Sequence, residues 1–118
     1  MLYHFEVGFP KGVENNLKKI GKVNNVEYLF HAKKAAMNDR YGIIDLPKTL
    51  NLSTSKIIEI EVLNNKVTKV VFRVAYDNKF DLVVVMNLPD LSVRTIWLNS
   101  KTDKHRTLDR SKYDSATT

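Results

Sequence analysis

From Lys56 onward the hydrophobic pattern takes on a period of two, which narrows the available folds more than any other feature of the chain. Ile58, Ile60 and Val62 alternate with Glu59 and Glu61, as in a half-buried strand with one apolar face. Asn64-Asn65 follows, and Asn tolerates the positive φ of a tight hairpin. The next run, 66–76, points Val70, Phe72 and Val74 one way and Val71, Arg73 and Ala75 the other. Asp77-Asn78-Lys79 turns the chain into 80–88, and Pro89-Asp90 turns it into 92–98. Loops this short join neighbouring antiparallel strands, so a four-stranded meander is expected.

The first half reads differently. Residues 2–7 form a short strand, broken by the Gly8-Phe9-Pro10-Lys11-Gly12 cluster. Val13, Leu17 and Ile20 recur at helical spacing, and Gly21 is a natural stop. A second helix is predicted over 25–38, capped by Asn25, with Val26, Leu29, Phe30, Lys33 and Met37 on one side and Gly42 beyond its end. A third, short helix fits IDLPKTLN, with Asp45 as N-cap and Pro47 in the first turn. The expected fold is therefore α+β, with N-terminal helices packed on one face of a four-stranded antiparallel sheet. One domain spans 1–113, and 114–118 reads as a frayed tail.

Composition removes several function classes. A chain of 118 residues holds one ordinary domain, not two with a cleft between them. It has no Cys, hence no disulfide framework, thiolate metal site or thiol nucleophile. The three His, at 4, 31 and 105, lack ligand spacing, and no phosphate-binding glycine loop or hydrolase motif is present. No metal or cofactor is expected. The N-terminus has no signal-peptide pattern, and the longest apolar run, 82–86, is far below the roughly 18 residues that span a bilayer. A cytoplasmic protein without a membrane partner is the default expectation.

Charge points elsewhere. Nineteen Lys and Arg against 13 Asp and Glu leave a net charge of +6, which favours polyanions and nucleic acid above all. Residues 1–40 carry +3 of it, 41–56 carry +1, and 99–118 carry +2, whereas 57–98 are neutral. The excess lies outside the meander.

Three places could carry chemistry. His31 shares a helical stripe with Lys34, Ala35 and Asn38; an imidazole beside a lysine suits proton transfer next to a phosphate, and equally suits a solvated helix face. Arg73 and Arg94 lie amid apolar strand residues. An arginine there either pairs with an acid such as Glu59 or Glu61 or lines a phosphate-holding face. Tyr76 and Trp97, near strand ends, are core residues or platforms for stacked bases. The segment 101–113 packs five basic residues, His105, Thr107 and Tyr113 around a single aliphatic, Leu108. It is a binding or catalytic segment, with His105 as acid or base and Lys104 or Arg106 as clamp, or else a solvated extension.

The run FHAKKAAMNDRYG, with His31, Ala32, Ala35 and Arg40, followed by a meander and the stretch RTIWLNSKTDKHRTLD, resembles the RelE-like and barnase–EndoU–colicin superfamily of small, toxin-like ribonucleases. The resemblance spans about residues 28–113 through short motifs. It implies metal-independent RNA cleavage, in which the ribose 2′-OH attacks the adjacent phosphate to leave a cyclic phosphate. His31 and His105 would then move protons, while Arg73, Arg94, Arg106 and Lys34 would hold phosphate. Tyr113 or Thr107 would orient the nucleotide, with Trp97 and Lys104 beside it. A cognate inhibitor protein would be a natural partner. The alternatives are a non-catalytic nucleic-acid-binding or regulatory protein, of phage or mobile-element type, and a module that binds another protein on the same scaffold.

Overall fold

A computed structural model describes residues 1–103. Its elements run β1 (Leu2–His4), α1 (Val13–Lys19), β2 (Lys22–Asn24), α2 (Phe30–Met37), β3 (Thr49–Asn51), a 3₁₀ turn (Leu52–Thr54), β4 (Lys56–Leu63), β5 (Lys66–Ala75), β6 (Phe80–Asn87) and β7 (Val93–Ser100). The fold is α+β, and the meander stands where the alternation put it. Asn64 and Asn65 both adopt left-handed φ, 52° and 63°, in the β4–β5 turn. The sheet has five strands instead of four. Leu2, Tyr3 and His4 pair antiparallel with Glu61, Ile60 and Glu59, giving the order β1-β4-β5-β6-β7.

The alternation of β4 breaks at a bulge. Ile57 pairs with Phe72 and Glu59 with Val71, so Ile58 is the extra residue. Ile57 and Ile60 consequently join the core beneath the helices, with Val70, Phe72, Leu82, Val84 and Ile96, while Ile58 turns to the opposite face. There it packs with Val71, Val83, Val85, Trp97 and Phe5. The sheet is therefore apolar on both sides, and Ile58 does not share a face with Ile60 as simple alternation would have it.

The helical half differs more. Helix α1 forms where expected and ends at Gly21, whose φ of +69° suits glycine and whose N–H bonds back to the Lys18 carbonyl. The predicted second helix begins five residues late, at Phe30. Lys22–Asn24 instead pairs antiparallel with Thr49–Asn51, and Asn25 takes a left-handed turn, φ 52°, so it caps nothing. Val26 N–H donates to the Lys48 carbonyl, and Tyr28 bridges to Val93 on β7. With its hydrogen bonds spent on distant strands, this stretch stays extended. Tyr28 is tied down further by its hydroxyl, which donates to the Pro47 carbonyl, and burial pushes its phenol pKa up to about 12. The third helix does not form, because Leu50 is drawn into the β2–β3 ladder and the core.

Helix α2 lies against β7 on Ala32 and Ala36, which are 0 % and 2 % exposed. Its larger apolar residues, Phe30 and Met37, face outward. The helix sits close because nothing beyond Cβ separates its backbone from the sheet. No helix among the described residues is long and apolar enough to cross a membrane. Replacing Ala32 by Leu should lift α2 from β7 and cost about 1–3 kcal/mol or more through overpacking. Chemical denaturation of the two proteins, with an unchanged m-value, checks this.

Candidate functional site

The outer side of α2 collects what its alanines leave behind. Phe30 is 74 % exposed and Met37 68 %, and Lys33 and Lys34 stand between them on neighbouring helical positions. The turn beyond adds Arg40 and Tyr41. The Arg40 guanidinium sits 4.7 Å from the Tyr41 ring centroid, and Tyr41 stacks at 4.6 Å on Phe80. His31 is half-buried and meets Phe30 edge-on at 6.1 Å. Among the described residues none of Lys33, Lys34 and Arg40 forms a salt bridge. The acid in this segment, Asp39, is turned to backbone donors: Oδ1 accepts from Leu98 N–H and Oδ2 from Tyr41 N–H, both at 3.1 Å. Among the described residues no acid pairs with these cations.

Between the end of α2 and β7 lies a groove of about 270 Å³, lined by Ala35, Asn38, Asp39, Arg40 and residues 95–98. Ala35 and Asn38, two members of the His31 stripe, thus reach it, and Asn38 is fixed by donating its amide to the Lys34 carbonyl at 2.9 Å. Trp97 borders the groove but is 9 % exposed and belongs to the core of the opposite face.

Arg73 and Trp97 occupy one row across β5, β6 and β7, opposite Val83, about 10 Å apart by strand spacing. The arginine is 6 % exposed and heavily engaged. Its Nε donates to Asp81 Oδ2 at 2.9 Å and its Nη2 lies 2.8 Å from the same oxygen. Nη1 donates to the Asp103 carbonyl at 2.6 Å and Nη2 to the Ser100 carbonyl at 3.2 Å. Its acid is thus Asp81 on β6, not Glu59 or Glu61; the residue across from it on β4 is Lys56. Lys101 Nζ completes the cluster, 2.7 Å from Asp81 Oδ1. Arg94 is the extra residue of a bulge between β6 and β7, between Val93 opposite Met86 and Thr95 opposite Val85. It is half-buried, with no salt bridge among the described residues. Tyr76 packs against the core, and its hydroxyl accepts from Asp45 N–H at 3.0 Å. Lys104, His105, Arg106, Thr107 and Tyr113 lie outside the described residues.

The structure therefore puts His31 and Lys34 on α2, with Arg40 in the turn that follows it, and sets Arg73 on the opposite face of the sheet, clamping the turn after β7. The sequence pattern puts Phe30 and Met37 on the apolar side of the helix, and the structure turns both outward; Tyr41 and the Asp81–Lys101 pair carry no such signal. The spacing of Ala32 and Ala36, four apart, was the available signal that α2 buries its small side. Among the described residues no group of three His, Asp or Glu is placed to hold a metal ion.

Comparison of the chain with known protein families, with curated proteins and with solved structures gives no match.

Burial alone pushes the Asp81 carboxyl up, but hydrogen bonds and charges from Lys101 and Arg73 outweigh it and hold it below the ordinary carboxylate range. A carboxyl with a depressed folded-state pKa stabilises the fold at pH values above its unfolded pKa of about 4, and that stabilisation is lost as pH falls through the folded value. Asp81→Asn should thus lower stability at neutral pH by about 1.5–3 kcal/mol, as expected for hydrogen bonds to a charged group. The difference from the parent protein should shrink below about pH 4, read from urea midpoints across the pH range.

Proposed function

We propose that the protein binds single-stranded RNA through the outer face of α2 and the turn that follows it. The observation that carries this reading is the interleaving of Lys33, Lys34 and Arg40, without acid partners among the described residues, with exposed Phe30, Met37 and Tyr41. Cations neutralise backbone phosphates and release counterions, while aromatic faces accept unstacked bases. An exposed aromatic on a solvated helix is costly to leave in water, whereas beside cations it becomes half of a stacking site. The net charge of +6 brings an RNA chain toward the protein from any direction, and α2 offers it a place to stop.

Strand scission is a step beyond this. The clamp on Asp81 and two carbonyls occupies Arg73, which the resemblance to small ribonucleases would enlist as a phosphate holder. Binding without cleavage is the reading supported by that engagement. RNA incubated with the protein in EDTA should stay intact. Cyclic-phosphate ends that form under chelation and vanish in His31→Ala or His105→Ala would instead make the protein a nuclease.

Fluorescence anisotropy with a short labelled RNA tests the interface. Reversing three charges in Lys33→Glu/Lys34→Glu/Arg40→Glu should weaken binding at least about tenfold at low salt. It should also flatten the slope of log K against log salt by about 2, three single-strand phosphate contacts being lost. Phe30→Ala should weaken binding about fivefold or more and leave that slope unchanged, since stacking displaces no counterion. Parent-like binding by the triple variant, or no binding by the parent at low salt, overturns the proposal.

A further inference from the structure

The groove of about 270 Å³ between the end of α2 and β7 has a closed floor and an open rim. Residues 95–98 form the floor and are almost wholly buried, so a ligand meets them only as a surface. The groups left to select a ligand are Asn38 and Arg40, both exposed, with Asp39 between them. Their chemistry is set by bonds already made. Asn38 Nδ2 donates to the Lys34 carbonyl at 2.9 Å. A carbonyl only accepts, so the NH2 end of that amide is held against the backbone and Oδ1 is turned away from it. Among the described residues nothing donates to this oxygen. Beside it, the Asp39 carboxylate is anchored by the Leu98 and Tyr41 N–H groups, both at 3.1 Å. One wall of the groove therefore presents acceptors. Arg40, on the rim, has its guanidinium 4.7 Å from the Tyr41 ring centroid. A guanidinium plane held this way is a stacking surface for a base, and its N–H edge stays free for a phosphate.

We propose that this groove takes one nucleobase of the bound strand, stacked on Arg40, and that Asn38 selects a base with an exocyclic amine over uracil. The inference rests on the reading of α2 as an RNA surface, since the strand is what brings the base. A base is planar, with apolar faces and a polar edge, which suits a closed floor with acceptors along one side. The amine of adenine, cytosine or guanine donates to Asn38 Oδ1. Uracil has no amine. Its N–H on the pairing edge lies between two carbonyl oxygens, which would be driven against the oxygens of Asn38 and Asp39. Size points the same way. A groove of about 270 Å³ falls just below the range of about 300–1,000 Å³ for small-molecule pockets, so it suits a single ring system while the rest of the strand stays outside.

The test uses the full chain, isotope-labelled for NMR, with mononucleotides as probes. Adenosine monophosphate and cytidine monophosphate should shift the Asn38 side-chain amide and the Arg40 Nε resonances. Purine riboside monophosphate, which differs from the adenosine nucleotide only in lacking the amine, should bind about tenfold more weakly, as for one lost base-edge hydrogen bond. Uridine monophosphate should be weaker than cytidine monophosphate by about the same factor. Asn38→Ala should bring the ratio between the adenosine and purine riboside nucleotides to about one. Loosening of the end of α2 would weaken both nucleotides alike and keep the ratio, so a ratio retained in Asn38→Ala overturns the proposal. Equal binding of the two by the parent protein, or an Asn38 amide unmoved by millimolar adenosine monophosphate, also overturns it. RNA that binds with the salt slope of the α2 cations while the nucleotide leaves Asn38 unmoved removes base choice alone. Nucleotides that shift Asn38 with the amine preference, while RNA oligomers fail to bind, support the groove contact and overturn the α2 reading.

Discussion

Ala32 and Ala36 end at Cβ, and the seating of α2 on β7 depends on that economy. A helix that buries Leu or Phe stands off its sheet by the depth of those side chains; one that buries alanine comes close. Close seating lets Asp39, just past the helix, reach the Leu98 N–H on the strand edge. It leaves Ala35 as a shallow wall and so opens the groove. It also sends Phe30, Lys33, Lys34 and Met37 to the solvent side, because the inward positions hold no long side chain. The candidate surfaces therefore follow from one packing choice in a helix of eight residues.

That choice explains what could and could not be read from the amino-acid order. The strands from Lys56 on were legible because their period is local: each residue's face is fixed by its neighbours and each turn by residues such as Asn64-Asn65. Ile58 escaped the pattern because a bulge is a property of two strands, visible only when Ile57 and Glu59 take their partners on β5. The stretch 25–29 reads as the start of a helix in the sequence, but its hydrogen bonds go to Lys48 and Val93, neither of them near in sequence. β1 was placed as a strand, but its partner, the far side of β4, was not locally encoded. In the helix, Phe30 and Met37 were assigned inward by hydrophobicity, and volume at the β7 contact decided otherwise.

Charge shows the same division between count and arrangement. The arithmetic made residues 57–98 neutral and put the excess on either side of them. In the folded chain part of that balance is paired in contacts: Lys69 lies 3.7 Å from Glu61 and Arg73 pairs with Asp81, which also takes Lys101 from the excess beyond the meander. These cations hold strands and the turn after β7 in place, and their fields are spent locally. Helix α2 contains no acid at all, and Asp39 just beyond it is consumed by two backbone N–H groups. A carboxylate that satisfies backbone donors is a weaker partner for a neighbouring guanidinium than a free one. The cations therefore divide into those paired within the fold and those directed outward, and only the second group keeps its field for an incoming anion.

Arg40 stands at the end of the cationic stripe and on the rim of the groove. Its stacking on Tyr41, which is itself stacked on Phe80, fixes the guanidinium's position without neutralising it. A charged group already held in place has less rotamer freedom to lose when an anion meets it, so the stack that orders Arg40 would also prepare it for a phosphate.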